Sequence, residues 1–122
     1  MARAPLLLAL SALLLAGCIN MSSPAKLAPG ASAEAIRAQL GEPTGRYALP
    51  GGATRLEYAR GPYGRETWML DVDANGALVA TTQVLVEANF NTIKAGMTRD
   101  ELLRTLGRPS RVGFVGWQNQ TV

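Results

Sequence analysis

Residues 96–109 read GMTRDELLRTLGRP and residues 30–43 read GASAEAIRAQLGEP, so the chain carries one frame twice, 66 residues apart. Each copy places a hydroxyl residue, Ser32 or Thr98, where a helix N-cap accepts a backbone N–H. Glu101 follows Thr98 by three positions and completes a capping box. The frame therefore predicts two helices of about nine residues, each stable only when it is packed.

The end of each copy also has a helical meaning. Gly41 and Gly107 occupy the position where a left-handed glycine closes a helix, and a proline two residues later prevents its continuation. Apolar residues four apart share one helix face. They are Ile36 and Leu40 in the first copy, and Leu102 and Leu106 in the second.

The segment between the copies predicts β-structure. Residues 53–60 and 65–73 alternate between polar and apolar, with Tyr58 and Trp68 on the apolar faces. Residues 77–86 are rich in Val and Thr, as strands are. Turn residues at 61–64 and 73–76 separate the three strands. We expect an α+β fold with short helices packed on a three-stranded antiparallel meander, and Tyr58 and Trp68 in its core.

Two repeats follow from this frame, and the second is short. The first spans residues 30–95, and residues 96–122 begin a second. In that second repeat, Trp117 and Val122 mark the start of a first strand. Two alternatives remain: the second repeat is truncated, which we favour, or its helix packs on the single sheet.

The N-terminus contains the tetrapeptide Leu15-Ala16-Gly17-Cys18 after a short apolar run. The run is too short to span a membrane and has the length of a signal-peptide core. The tetrapeptide resembles the lipobox of bacterial lipoproteins, which implies that residues 1–17 are a signal peptide and that Cys18 is lipidated. Residues 18–29 then form the lipid anchor and a flexible tether. In lipoproteins of two-membrane bacteria, an aspartate directly after the lipidated cysteine resembles an inner-membrane retention signal. Ile19 occupies that position here, so we expect the protein in the outer membrane, with its domain facing the periplasm.

Composition argues against several functions. The 12 Lys and Arg residues against 9 Asp and Glu give a net charge of +3, but they are dispersed, so no nucleic-acid patch is expected. Histidine is absent, and we expect Cys18 to carry the lipid. The Ser–His and Cys–His arrangements, in which a base activates a nucleophile, are therefore excluded. Asp71 with Asp73 is better explained by a polar strand end than by a metal site. Asp100 with Glu101 is better explained by the helix dipole. We expect no enzyme activity, no cofactor and no metal.

Exposed aromatic residues are the remaining candidates for a binding surface. Tyr63 lies at a predicted hairpin tip and Phe90 lies between two asparagines. Aromatic residues are enriched among the residues that dominate protein interfaces. Tyr63 and Phe90 are therefore our candidates for partner contact.

Residues 89–109, NFNTIKAGMTRDELLRTLGRP, resemble the opening segment of the outer membrane protein assembly factor BamE family, also called the SmpA/OmlA domain. That family has small lipoproteins with helices on one face of a three-stranded antiparallel sheet. The tandem arrangement also resembles the architecture of β-lactamase inhibitor proteins. The BamE domain occurs singly, whereas this chain begins two.

The resemblance implies a lipid-anchored accessory protein that binds other proteins in outer-membrane or envelope assembly, with β-barrel assembly proteins among its partners. The alternative is a periplasmic inhibitor or ligand-binding module. A structural protein that contacts peptidoglycan is a third hypothesis.

Overall fold

The computed structural model describes residues 23–61, 65–115 and 120–121. It shows an α+β fold built on a four-stranded antiparallel sheet of order β1-β2-β3-β4. The strands are β1 (Gly45–Ala48), β2 (Thr54–Arg60), β3 (Glu66–Val72) and β4 (Leu78–Gln83). The helices are α1 (Ala33–Leu40), α2 (Glu87–Phe90) and α3 (Arg99–Leu106), with 3₁₀ turns at Pro24–Lys26 and Pro50–Gly52.

The sheet has one strand more than the three predicted. Strand β1 follows α1 and pairs with β2, with Gly45 opposite Glu57 and Ala48 opposite Thr54. Its four residues, Gly-Arg-Tyr-Ala, include a glycine and an alanine, which are depleted in strands, so the sequence gives only a weak β signal there. The three predicted strands are all present, and Asp73–Gly76 forms the expected tight turn with Gly76 at φ 80°.

One face of the sheet carries the apolar core. Because directly opposite residues of an antiparallel pair share a face, Leu56 and Leu70 lie side by side. Ile36 of α1 is 0% exposed and packs on this face. The cluster also includes Tyr58, Val72 and Leu78, with Leu27, Ala31, Leu40 and Trp68 at its margin. Tyr58 is buried, as predicted, whereas Trp68 is only partly buried.

Residues 23–29 pack on the domain, although their composition suggested a flexible tether. Pro24 is fully buried in the 3₁₀ turn, and Leu27 reaches the edge of the core. The backbone then joins the sheet, because the amide of Gly30 donates to the carbonyl oxygen of Leu78 at 2.8 Å. Proline loses no side-chain rotamer entropy on burial, which favours this packing.

The second face of the sheet is also partly buried. It carries Glu57, Thr67 and Met69, which are 0%, 2% and 2% exposed. Residues 107 and 108, which follow α3, contact this face. The two repeated helices therefore end on opposite faces of one sheet.

A short hairpin follows α3. Strand β5 (Phe114–Val115) pairs antiparallel with β6 (Gln120–Thr121) as a separate two-stranded sheet. The first residue of β6 lies 66 positions after the first residue of β2, the same spacing as the helices. Trp117 and Val122 lie outside the described residues.

Candidate functional site

Helix α3 begins with the predicted capping box. The hydroxyl of Thr98 accepts from the amide of Glu101 at 3.2 Å, and the Glu101 carboxylate accepts from the amide of Thr98 at 2.7 Å. The hydrogen bond from the Thr98 backbone, followed by that from its side chain, lowers the pKa of Glu101 below its ordinary value. The Glu101 carboxylate is therefore part of the helix start. In the first copy, Ser32 accepts from the amide of Ala35, which confirms its predicted role as the N-cap.

Both helices end at glycine, in a conformation more restrictive than the left-handed one predicted. Gly41 has φ 82° and ψ −165°, and Gly107 has φ 83° and ψ −172°. This region is essentially confined to glycine. The surroundings differ, because a Cβ on Gly41 would meet no atom within 4 Å, whereas one on Gly107 would lie 2.7 Å from Cγ2 of Thr67.

Glu57 holds the end of α3 against the sheet. Its Oε2 accepts from the backbone amide of Arg108 at 3.1 Å and from the hydroxyl of Tyr47 at 2.6 Å, while Oε1 accepts from the hydroxyl of Thr44 at 2.7 Å. Hydrogen bonds from these three donors offset the free-energy cost of removing the carboxylate from water. Sequence reasoning missed this group, because one buried carboxylate in an alternating strand has the pattern of a solvent-facing residue.

The same contacts alter the ionisation of Tyr47. Burial, then the hydrogen bond to Glu57 and the Glu57 charge, raise the pKa of Tyr47 to about 12, while Arg108 acts in the opposite direction. The neutral phenol, which can donate to Glu57, is thereby favoured.

A second link joins α3 to β2. The Arg55 guanidinium binds Asp71 bidentately, at 2.6 Å from Nε and 2.7 Å from Nη2, and its Nη1 donates to the carbonyl oxygen of Arg104 at 3.1 Å. The hydrogen bond to Asp71 raises the pKa of Arg55. A guanidinium at the C-terminal end of a helix also opposes the negative end of the helix dipole.

The outer side of α3 borders an open groove of about 680 Å³. Six apolar side chains and three exposed arginines line it, and no carboxylate occurs among the described lining residues. The apolar residues are Leu85, Leu102, Leu103, Leu106, Pro109 and Val112, and the arginines are Arg99, Arg108 and Arg111. We call this the α3 groove. It combines an apolar floor with a cationic rim, as binding surfaces for amphipathic partners do.

The internal repeat shows how the floor of the groove differs from the equivalent face of α1. Leu102 and Leu106 correspond to Ile36 and Leu40 of α1. Ile36 is 0% exposed in a buried cluster with residues of β2, β3 and β4, whereas Leu102 and Leu106 are partly exposed. The described part of the chain provides no equivalent sheet over α3.

The predicted contact residues have different outcomes. Phe90 ends α2 and is 50% exposed, which confirms its expected exposure, while its role in partner contact stays a prediction. Cys18 and Tyr63 lie outside the described residues, and their roles stay predictions.

The acidic candidates have structural partners. Asp71 pairs with Arg55, and Asp73 accepts from the amides of Asn75 and Ala77 at 2.9 Å each. Within residues 23–61, 65–115 and 120–121, no three acidic or Cys residues are grouped as a metal site requires.

A smaller cleft of about 250 Å³ lies beside α1, with Arg37, Arg46 and Asp73 among its lining residues. Arg37 and Arg46 also reach Glu42, at 3.6 Å and 3.1 Å. Because the α3 groove is larger than this cleft and combines an apolar floor with a cationic rim, we take it as the candidate site.

Across the residues that the structure describes, no helix has the length and hydrophobicity needed to cross a bilayer.

Comparisons of the chain with protein-family models, with curated proteins and with solved structures found no match.

Proposed function

We propose that this protein is a lipid-anchored accessory of the outer membrane that acts by binding another envelope protein through the α3 groove. The observation that carries the proposal is the groove itself, which has an apolar floor and a cationic rim. The end of its helix is held against the sheet by the hydrogen bond from the Arg108 amide to Glu57. The fixation matters because a preorganised surface loses less entropy when a partner binds.

Two sequence features support the location and the process. The tetrapeptide ending at Cys18 supports a lipid anchor in the outer membrane. The resemblance of residues 89–109 to the BamE family supports a role in envelope assembly, because that segment includes α3 and its caps. Phe90 is exposed on α2, which contacts α3, and we assign it to the same proposed binding surface.

The arrangement of charged groups favours binding over catalysis. Glu57, Asp71 and Glu101 each accept hydrogen bonds that hold the backbone or an arginine in place. Removing any one of them should change stability and leave a binding function in place wherever the fold persists.

Complementation of an envelope-permeability defect in a deletion strain tests the groove. Leu102→Glu puts a charge on the floor of the groove and should abolish complementation. The matched control is Val79→Glu on β4, where the valine is 64% exposed and lies outside the groove. Membrane levels of both variants must equal those of the wild type. Full complementation by Leu102→Glu at a normal level would refute a role for the groove.

The anchor has its own test. Labelling cells with a fatty acid should mark the wild-type chain and leave Cys18→Ala unlabelled. Equal labelling of both chains would show that Cys18 is not the attachment site.

Co-purification then separates the two classes of partner: recovery of a β-barrel assembly complex supports the proposal, and recovery of a soluble periplasmic enzyme supports an inhibitor instead.

A further inference from the structure

Only a short stretch of chain separates the proposed lipid anchor from the folded domain. Pro24 is fully buried, and the 3₁₀ turn that it starts packs beside β4. Four residues, 19–22, therefore lie between Cys18 and the first described residue, Ser23. The five peptide units from Cys18 to Ser23 span at most about 18 Å. This covalent limit holds for any conformation of those residues.

The chain enters the domain at one end of the sheet. Ser23 and Pro24 line a depression of about 580 Å³ together with Arg60, Arg65 and Glu66. Arg60 is the last residue of β2 and pairs with Glu66, the first residue of β3. We call this end of the sheet, defined by these five residues, the anchor end.

The sheet is longer than the reach of the anchor. Strand β3 runs from Glu66 away from the anchor end, so Asp73, in the turn that follows β3, lies about 23 Å from Glu66 along the strand. An inverted domain, with this turn on the bilayer, would hold Ser23 about that far from the membrane surface. The chain between Cys18 and Ser23 is too short for this, so the inverted orientation is excluded for a lipidated Cys18.

The charge of the anchor end suits an anionic surface. Two arginines line the depression and Lys26 is exposed in the adjoining 3₁₀ turn, whereas Glu66 is the one carboxylate among the described lining residues. By sequence, residues 19–22 are Ile-Asn-Met-Ser and residues 62–64 are Pro-Tyr-Gly, so neither segment adds a charged side chain. The opposite end of β3 leads instead to Asp73. Basic side chains next to a membrane are attracted to anionic phospholipids.

From the short reach and the charge we propose that the anchor end of the sheet lies on the membrane surface, where Lys26, Arg60 and Arg65 bind the phosphate groups of anionic phospholipids. This inference rests on the lipid anchor of the proposed function and adds a second membrane contact to it. The acyl chains keep the protein on the bilayer, and the cations fix its orientation, with the turn at Asp73 directed away from the lipid.

Nuclear magnetic resonance of the lipidated full chain measures this orientation. The chain is placed in nanodiscs of phosphatidylcholine and phosphatidylserine in which some headgroups carry a gadolinium chelate, which broadens the signals of nearby amides. The amides of Arg60 and Glu66 should lose intensity, whereas those of Asn75 and Ala77, in the turn at the opposite end of β3, should keep it.

Two changes test the causes of the orientation. Lys26→Glu should reduce the signal loss at the anchor end, because each cation near an anionic surface changes the population in contact about fivefold. The matched control is Arg37→Glu, which reverses one exposed cation on α1 and should leave the loss unchanged; Arg37 lines the cleft that Ala74 and Gly76 border. A Gly-Ser insertion after Ser22 that is longer than β3 should also reduce the loss, because it removes the covalent restraint.

Several results would overturn the inference. They are equal signal loss at both ends of β3, greater loss at Asn75, equal effects of Lys26→Glu and Arg37→Glu, and a loss centred on α3, which would place the α3 groove on the lipid.

The same sample separates this inference from the proposed function. A chain that leaves the nanodisc because Cys18 carries no lipid overturns both the anchor of the proposed function and this inference. A chain that stays in the nanodisc while both ends of β3 respond alike overturns this inference alone.

Discussion

Replacing Gly107 with alanine should destabilise the protein more than replacing Gly41 with alanine. Both glycines end a repeated helix, with φ 83° and 82° and nearly the same ψ. The conformational cost of alanine is therefore shared and amounts to about 1–3 kcal/mol at either site.

The surroundings supply the difference. A Cβ on Gly41 enters open space, whereas a Cβ on Gly107 lies 2.7 Å from Cγ2 of Thr67 and 3.2 Å from Oε2 of Glu57. Thr67 and Glu57 are 2% and 0% exposed, so neither can move into solvent. Overpacking of this kind adds about 1–3 kcal/mol, and we expect about 2–6 kcal/mol in total for Gly107→Ala.

Urea denaturation of both variants, with hydrogen exchange of the α3 amides, measures the two effects. If α3 detaches before the sheet unfolds, the clash appears as faster exchange in α3 at an unchanged urea midpoint. In either case, the α3 amides should exchange more slowly in Gly41→Ala than in Gly107→Ala. Equal destabilisation with equal α3 exchange would refute the docking of α3 through Gly107.

Further predictions concern ionisation and packing. The raised pKa of Tyr47 means that its contribution to the free energy of unfolding is present below pH 10 and is lost as the pH rises towards about 12; Tyr47→Phe should show a smaller alkaline loss in pH-dependent denaturation. The lowered pKa of Glu101 means that its contribution is present above the ordinary Glu value of about 4.3 and is lost on further acidification; Glu101→Gln should make α3 amide exchange less pH-dependent in that range after correction for intrinsic rates. Ile36→Ala should cost about 2–5 kcal/mol, as deletions in filled cores do, whereas Leu102→Ala should cost clearly less by the same denaturation measurement because Leu102 is already partly exposed.

Sequence alone determined the features that depend on near neighbours in the chain. A hydroxyl, a glutamate three residues later and a closing glycine specify a helix locally, so both repeated helices and the capping box at Thr98 were predictable. Alternation and the Asn75-Gly76 turn specified the three-strand core of the sheet for the same reason. Strand β1 was missed because its four residues include glycine and alanine, which are depleted in strands, so the local β signal is weak.

Tertiary structure alone decided which side of the sheet each helix end would contact. Tyr58 donates to the carbonyl oxygen of Gly41 on one face, while its neighbour Glu57 accepts from Arg108 on the other. The partners are 17 and 51 residues apart, and no local pattern encodes a contact across that distance. Whether Leu102 is a core residue or the floor of a groove depends equally on what lies over it. Its helix periodicity is the same in both cases, and only the three-dimensional arrangement shows that the described residues leave Leu102 partly exposed.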